Sequence, residues 1–518
     1  MIGTFSNGIL KHRLLPAALG DELVRCGPRS PAERLSGVIG WGLKDNTKTA
    51  RAFAERHDLP YFSLEDGFIR SVGLGVDGAE PFGFILDRQG IYYDARQPSD
   101  LEDLIKAEND DDVRRARGLI DRLVRIRATK YNHVWQAPNL TTDNRPAILL
   151  IDQTYGDLSV KHGLADEESF RWMVEAAMRR YPGGRFFVKT HPDVIAGRKK
   201  GYLTDRLPSG VTVVDENCNP IALLQKMDHV LTVTSQMGFE ALLVGKPVTC
   251  FGMPFYAGWG LTEDFAACPR RSIDRSLEQV FAAAYLRYVR YVDPITRQRC
   301  KLERILDLIE HHQRTAVLNK GEVHCFGFQW WKSGVIKRFI GASDAKCVFT
   351  GKRFTERIAA TPLPARVAVW GMSDDGRISR LAHRQGIAVE RVEDGFVRSV
   401  GLGSNFAKPT SLIVDRRGIY FDPRQPSDLE HLLNTVTVDE DAMARASRIR
   451  ELIVKRGISK YNTGCCRIDV NRGTGRTVIL VPGQVEDDAS IRTGCIDVRS
   501  NVALLEAVRQ SNPEALIL

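Results

Sequence analysis

Carboxylates that directly follow strand-like segments are the residues of this 518-residue chain best placed to do chemistry. Asp157 stands in Gln153-Thr154-Tyr155-Gly156-Asp157-Leu158-Ser159, just past the apolar run Ala147 to Asp152. A carboxylate there can attack an electrophilic carbon or take a proton, as paired acids do at sugar anomeric centres. It can equally cap the helix that follows. The spacing Q-x3-D-x-S-x3-G returns as Gln484, Asp488, Ser490 and Gly494, after Val478 to Val481. Glu65 and Asp66 precede Gly67 at the exit of another extended segment. Neighbours in extended backbone point to opposite sides, so only one of the two can face a cleft. A turn-forming Asp-Gly is the alternative reading.

Cationic and hydroxyl-bearing loops supply the complementary chemistry. Lys189 and His191 flank Thr190 ahead of Pro192, a pair suited to a phosphate leaving group. Thr234-Ser235-Gln236 opens a predicted helix, where free N–H groups and the helix dipole favour a phosphate, although a plain N-cap explains the same residues. Arg270 and Arg271 either add charge near such a donor or lie on the surface. There is no persuasive D-x-D element, no P-loop, no G-x-S-x-G elbow and no convincing dinucleotide fingerprint, so the donor expected is metal-independent and needs no cofactor.

The elements that must carry these loops are written twice. Glu65-Asp66-Gly67-Phe68-Ile69-Arg70-Ser71-Val72-Gly73-Leu74-Gly75 returns as Glu393-Asp394-Gly395-Phe396-Val397-Arg398-Ser399-Val400-Gly401-Leu402-Gly403, an offset of 328 (393 − 65). The same offset relates Asp87 to Asp94 and Pro98 to Glu102 with Asp415 to Asp422 and Pro426 to Glu430. A unit this long is a pair of domains rather than a solenoid repeat. In each copy, strand signals such as Val38 to Trp41 and Val367 to Trp370 alternate with helical stretches and new extended segments, a β-α-β rhythm that predicts parallel sheets. Asp112 to Ala128 reads as a basic amphipathic helix, best explained as a solvated arginine face on a core helix. In open α/β sheets ligands sit at the carboxyl ends of the strands, which gathers the Glu65, Asp157, Lys189 and Ser235 loops on one cleft.

Composition sets the outer limits. A 43% hydrophobic and 26% charged balance is that of a soluble protein, and no long uncharged apolar run marks a leader or a membrane span. The expectation is a cytoplasmic protein. Ten scattered cysteines without C-x-x-C pairs read as reduced thiols rather than a zinc or disulfide framework. A net charge of +9 favours anionic partners, but the basic residues are interleaved with acids and form no nucleic-acid module.

Two successive Rossmann-like units per module is the layout of the GT-B glycosyltransferase fold. The motifs EDGFIRSVGLG, D-R-x-G-I-Y-Y-D with PSDLE, Q-x3-D-x-S, KTHPD, TSQMGFEALLVGKPV and PFYAGWGLT together resemble the KpsC-type capsular polysaccharide proteins, two-module β-Kdo glycosyltransferases. The acidic, His-Pro and Ser elements are also similar to those of bacterial sialyltransferases. The resemblance implies CMP-Kdo as donor, a lipid-linked Kdo acceptor and net retention at the anomeric carbon. It further implies a place in the capsule assembly complex, peripheral on the anionic inner-membrane surface. Carried over, Asp157 is the nucleophile and Glu65 the acid/base. His191 holds the CMP phosphate with Lys189 beside it, and Ser235 and Gln236, with Thr234, bind from the helix terminus.

The organisation expected is residues 1–145 as the acceptor-side domain, 146–312 as the CMP-sugar domain, 313–321 as a linker, 322–475 as the second acceptor-side domain and 476–518 as the start of its partner. Asp157 and Asp488 differ by 331 positions (488 − 157), so the counterpart of His191 lies past Leu518. The second module is therefore expected to keep Glu393 and Asp488, to be inactive, and to expose apolar surface. The competing function is a non-catalytic capsule assembly or export component that binds polysaccharide or lipid acceptor. A third reading is a CMP-sugar transferase for another 2-keto sugar acid.

Overall fold

The computed structural model describes residues 1–75, 78–107, 110–140, 143–190, 192–195, 197, 199–203, 207–340, 346–349, 365–374, 376–438, 440–464 and 475–518. They form two compact units, Met1–Gln313 and Arg314–Leu518.

The first unit contains two sheets. Its chain opens with β1 (Ile2–Thr4), β2 (Leu23–Arg25), β3 (Gly37–Trp41), β4 (Tyr61–Asp66) and β5 (Gly83–Asp87). A second set follows: β6 (Ala147–Ile151), β7 (Arg185–Lys189), β8 (Val211–Val214), β9 (His229–Thr232), β10 (Val248–Cys250) and β11 (Glu263–Asp264). This second set is one parallel sheet in the order β11-β10-β9-β6-β7-β8. The uninterrupted apolar run Ala147–Ile151 lies at its centre and is buried throughout, as a strand covered on both faces requires.

The last part of the unit departs from the domain division expected from sequence. β12 (Val289–Val292) and β13 (Arg299–Cys300) do not stay with residues 146–312 but return to the first sheet, ordered β13-β12-β5-β4-β3-β1-β2. There β12 pairs antiparallel with β5, whose other edge pairs antiparallel with β4, so this sheet is mixed rather than parallel. The helix Leu277–Phe281 widens into a π-helical turn, Ala282–Tyr288, before β12. One apolar core, with Phe84, Leu149, Phe239, Trp259, Phe281 and Ile305, runs through both sheets.

The expected linker 313–321 is largely helical instead: Leu302–Leu318 is one helix. Nothing in Asp307 to Leu318 breaks a helix, and the first glycine after it is Gly321, at φ +84°.

The second unit carries β14 (Glu322–Phe326), β15 (Cys347–Phe349), β16 (Ala365–Trp370), β17 (Ala388–Asp394) and β18 (Leu412–Asp415) in the order β15-β14-β16-β17-β18. A separate parallel pair joins β19 (Val478–Ile479) and β20 (Leu516–Ile517). Its helices Asp428–Thr435 and Glu440–Arg456 leave Leu433, Met443, Leu452 and Val454 exposed. Among the described residues no helix is long and apolar enough to cross a membrane.

Candidate active site

Strand alternation and one ion pair settle the choice between Glu65 and Asp66. At the end of β4 the Asp66 Oδ2 atom lies 2.8 Å from Arg70 Nε. Arg70 also donates to Ser71 Oγ at 2.9 Å and to the Ala79 carbonyl at 3.1 Å. Asp66 thus holds its own loop closed, and Glu65 points to the other side, toward the end of β3. Gly42, at φ +51°, makes room for it: a Cβ there would lie 2.5 Å from Glu65 Oε1 and press on Tyr93 Oη. Burial pushes the Glu65 carboxyl up to about 7, with Lys130 opposing the rise and Asp66 adding to it.

Asp87 anchors the strap that carries the tyrosines. Its carboxylate accepts from the N–H groups of Gln89 (2.9 Å), Gly90 (2.8 Å) and Asp100 (3.1 Å) and from Tyr288 Oη at 2.6 Å. Ser99 caps the helix Asp100–Lys106, accepting from Glu102 N. This closed strap carries Tyr92, which packs on Phe68 and Phe255, and the buried Tyr93. The Tyr93 hydroxyl accepts from Leu43 N at 3.0 Å, beside Gly42.

Sequence reading missed Lys130. Its carbonyl accepts from Arg70 N (2.9 Å) and Ser71 N (3.3 Å), and the next carbonyl, of Tyr131, accepts from Gly73 N at 2.7 Å. Asn132, at φ +46°, closes the turn: its amide donates to the Ser71 carbonyl at 3.1 Å and the Thr129 carbonyl at 2.6 Å. This clamp sets the Lys130 ammonium in the field of Tyr131, Tyr92, Asp66 and Glu65. The signal was in the sequence, because Lys130-Tyr131-Asn132 returns as Lys460-Tyr461-Asn462.

The second sheet contributes Asp157, which does cap the short helix Leu158–His162: its Oδ1 accepts from Ser159 N at 2.9 Å. Gln153 ties this loop to the next. Its amide nitrogen lies 3.4 Å from Asp157 Oδ2 and donates to Ser159 Oγ (3.2 Å) and Thr234 Oγ1 (3.0 Å), while its oxygen accepts from Thr234 N at 2.9 Å. Thr234 is therefore buried in the scaffold between two loops. Ser235 caps the helix Gln236–Leu243, accepting from Met237 N, and its carbonyl accepts from Tyr256 Oη at 2.6 Å. Gln236 reaches across to the first sheet, donating to the Phe68 carbonyl at 2.9 Å.

The two halves meet around Tyr92. Burial raises its phenol, Lys130 opposes, and the charges of Glu65, Asp157 and Asp66 add to the rise. The neighbouring Tyr93 is raised by burial and by Glu65, and feels Asp157 as well. The loops of Glu65 and Asp157 meet at Tyr93: its hydroxyl lies with Glu65 Oε1 against Gly42, and its ring lies 6.1 Å from that of His162, on the helix that Asp157 caps. Behind them Phe68 stacks on Phe255 at 4.7 Å and on Tyr285 at 5.2 Å, so the PFYAGWG stretch and the π-helical turn form the apolar wall. His162 and Asp94, 3.0 Å apart, join the Asp157 helix to the first-sheet strap.

Two expectations change, and a third falls outside the described residues. Lys189 does not join a phosphate cradle: its ammonium donates to the carbonyls of Val214 (3.2 Å) and Glu216 (2.9 Å). These lie at and beyond β8, on the opposite side of β7 from β6, the strand that leads to Asp157. Arg270 and Arg271 are neither donor ligands nor surface charges. Both ion-pair with the buried Glu102, at 3.0 Å and 3.1 Å, and join the two halves of the unit. His191 lies outside the described residues.

The second unit repeats the loop of the first sheet. Asp394 pairs with Arg398 at 2.8 Å, and the Lys460 carbonyl accepts from Arg398 N at 2.8 Å and Ser399 N at 3.2 Å. Burial raises the Glu393 carboxyl. Asp488 caps the helix Ala489–Gly494 and is lowered, first by the Ser490 N–H and also by Lys460.

The comparisons fit this geometry. The sequence matches the family described as capsule polysaccharide biosynthesis protein over residues 36–122, 109–295 and 366–518. It is 42% identical over 500 residues to the capsule polysaccharide modification protein LipA of Neisseria meningitidis serogroup A, covering 93% of this chain and 70% of that protein. Against the serogroup B LipA the identity is 42% over 532 residues, covering 99% and 74%. Among solved structures, the Thermosulfurimonas dismutans KpsC β-Kdo 2,4 transferase is 46% identical with a TM-score of 0.57, covering 60% of this chain and 97% of that one. The fold is that of the GT-B glycosyltransferases, α/β with two sheets on one apolar core in the first unit. The chain belongs to the capsule polysaccharide biosynthesis family, as a KpsC-type protein.

Proposed function

We propose that the first unit transfers Kdo from CMP-Kdo to a lipid-linked Kdo acceptor, forming a β-Kdo linkage with retention at the anomeric carbon. The observation that carries this reading is the meeting of the Glu65 and Asp157 loops at Tyr93, whose hydroxyl lies with Glu65 Oε1 against Gly42 and whose ring lies 6.1 Å from that of His162, on the helix that Asp157 caps. The likeness to a β-Kdo 2,4 transferase supplies the sugar; the CMP donor rests on the motif resemblance.

In the proposed reaction an Asp157 oxygen attacks the anomeric carbon, and the bond to the CMP phosphate breaks with its electron pair leaving on CMP. The acceptor hydroxyl oxygen then attacks the anomeric carbon from the face that CMP vacated, and the carbon–oxygen bond to Asp157 breaks with its electron pair returning to the carboxylate. Two inversions give retention. The acceptor proton goes to Glu65, whose carboxyl, raised to about 7, is matched to proton transfer at neutral pH. Ser159 N and Gln153 orient Asp157. The N-terminus of the helix Gln236–Leu243, with Ser235, is the place for the departing phosphate. The absence of a persuasive D-x-D sequence supports a metal-independent donor. We further propose a peripheral place at the cytoplasmic face of an anionic membrane, where a lipid-linked acceptor would be met.

The test is product formation by the full chain from CMP-Kdo and a Kdo-terminated glycolipid. Product from the parent chain that disappears in Asp157→Asn supports the reading. No product from the parent would favour the non-catalytic binding role, and equal product from both would remove Asp157 as nucleophile.

A further inference from the structure

Buried carboxylate oxygens without a partner are rare in native proteins, and Asp152 has one. This residue directly follows β6, on the loop that leads to Asp157, and is 4% exposed. Its Oδ1 atom accepts from three backbone N–H groups, those of Gln153 (2.9 Å), Tyr202 (3.0 Å) and Leu203 (3.2 Å). Its Oδ2 atom, though buried, has no hydrogen-bond partner among the described residues. Burial raises the carboxyl, and the same three N–H groups, which favour the ionised form, oppose the rise. An ionised Oδ2 can only accept, and leaving it unmatched in the interior costs free energy.

Asp152 lines a cavity of about 180 Å³ at the carboxyl ends of β6, β7 and β8. The walls are the apolar side chains of Val188, Ile195, Leu203, Leu207 and Val213, and Ile195 and Val213 are exposed to solvent. Thr190 and Asp215 add polar groups to the lining. The turn that Asp152 holds also steadies the Asp157 loop: Tyr202 Oη accepts from Gly156 N at 3.1 Å, and the Tyr202 ring stacks on Phe170 at 4.2 Å. The copied loop forms without this carboxylate. In the second unit Gln484, Asp488 and Ser490 stay in register, Gly483 stands at the place of Asp152 at the same offset of 331 (483 − 152), and Asp488 still caps its helix.

A cavity of about 150 Å³ takes up a benzene molecule, so this one has room for a single six-membered ring. Apolar walls around one buried acceptor suit a flat ring that carries an N–H donor on its edge. Along the second sheet the strands run β9-β6-β7-β8. The helix Gln236–Leu243, whose N-terminus is the proposed place for the departing phosphate, follows β9, and the cavity is centred two strands away, at the end of β7. At about 5 Å per strand this is a span of about 10 Å across the Asp157 loop, which a phosphate, a ribose and a base cover. We propose that the cavity receives the base of the donor nucleotide and that the Asp152 carboxylate accepts a hydrogen bond from the exocyclic amino group of an aminopyrimidine, rejecting a uracil, which presents a carbonyl oxygen at that position. This rests on the proposed nucleotide-sugar donor and adds the residue that reads its base.

The test is calorimetric titration of the full chain with CMP and with UMP. The parent should bind CMP about 10- to 100-fold more tightly. Asp152→Asn keeps the oxygen that accepts the three N–H groups and turns the other atom from acceptor into donor, so the preference should reverse toward UMP, while Asp215→Asn should keep the parent's preference. Equal binding of CMP and UMP by the parent, an unchanged ratio in Asp152→Asn, or a reversal in Asp215→Asn overturns the assignment. If Asp152→Asn does not fold, Val213→Trp decides: from the edge strand β8 it narrows the cavity and should weaken CMP binding by about tenfold or more, and unchanged binding overturns the proposal. Transfer from CMP-Kdo without this base preference removes the inference and keeps the transferase reading, whereas the preference without transfer does the reverse. A parent that binds neither nucleotide overturns both.

Discussion

Phe68 and Phe396 hold the same place in the repeated segment, yet Phe68 is fully buried and Phe396 is 60% exposed. The backbone around them is the same. Both loops close through an Asp–Arg pair at 2.8 Å, and both hang on a lysine carbonyl that accepts two N–H groups. What differs is the facing half. In the first unit Phe255 and Tyr285 stack on Phe68, and Gln236 bonds its carbonyl. In the second, Phe396 makes an aromatic contact with Tyr420 at 5.2 Å. The contrast extends to the helix after the strap: Ile105 is 2% exposed and its counterpart Leu433 78%. The eleven-residue motif therefore builds a loop on its own, but it becomes part of a buried candidate site only where a second sheet desolvates it.

That contrast can be broken most directly at the proposed nucleophile. Asp157→Asn is expected to lower transfer from CMP-Kdo by on the order of 10³-fold or more, and Asp488→Asn to leave it unchanged, measured as product formed by the full chain. A comparable loss from Asp488→Asn would make the second unit a participant. Next comes the proposed base. Glu65→Gln should cost about 10²- to 10⁴-fold and remove the rise in rate with pH centred on about 7, with Glu393→Gln silent.

The same substitution has a stability sign. Glu65 binds its proton more tightly folded than unfolded, so its contribution is present below its ordinary value and is lost as pH rises through about 7. Glu65→Gln should therefore raise the melting temperature at pH 8 relative to the parent and not at pH 4, read by calorimetry.

Packing sharpens the comparison further. Ile105→Ala should destabilise the first unit by about 2–5 kcal/mol, whereas Leu433→Ala should stay within about 0.5 kcal/mol, both from denaturant unfolding. The smallest effect sits at the paired glycines. Gly42→Ala forces φ +51° on an alanine and drives its Cβ toward Glu65, with an expected cost of about 1–3 kcal/mol and a fall in activity. Gly371→Ala, whose Cβ would lie 3.1 Å from Glu393 Oε2, should cost less.

Much of this was legible before any coordinates. The duplication, the β-α-β order, the strand exits carrying Glu65 and Asp157, and the caps at Ser99, Asp157 and Ser235 are local matters. Periodicity, turn chemistry and short hydrogen bonds fix them within a few residues. Lys130 was legible too, through its repeated Lys-Tyr-Asn, but a lysine in a turn carries no sign of what its carbonyl supports. The direction of Lys189, the Glu102 ion pairs of Arg270 and Arg271, and the return of β12 to the first sheet were not legible. Each depends on partners from about 25 to 200 positions away in sequence, which no local pattern encodes. The sequence by itself determined which acids stand at strand ends and that the arrangement is made twice. Only the tertiary structure decided which way Glu65 and Asp66 point, which cations are engaged elsewhere and which copy is desolvated, because those follow from burial and long-range pairing between two sheets.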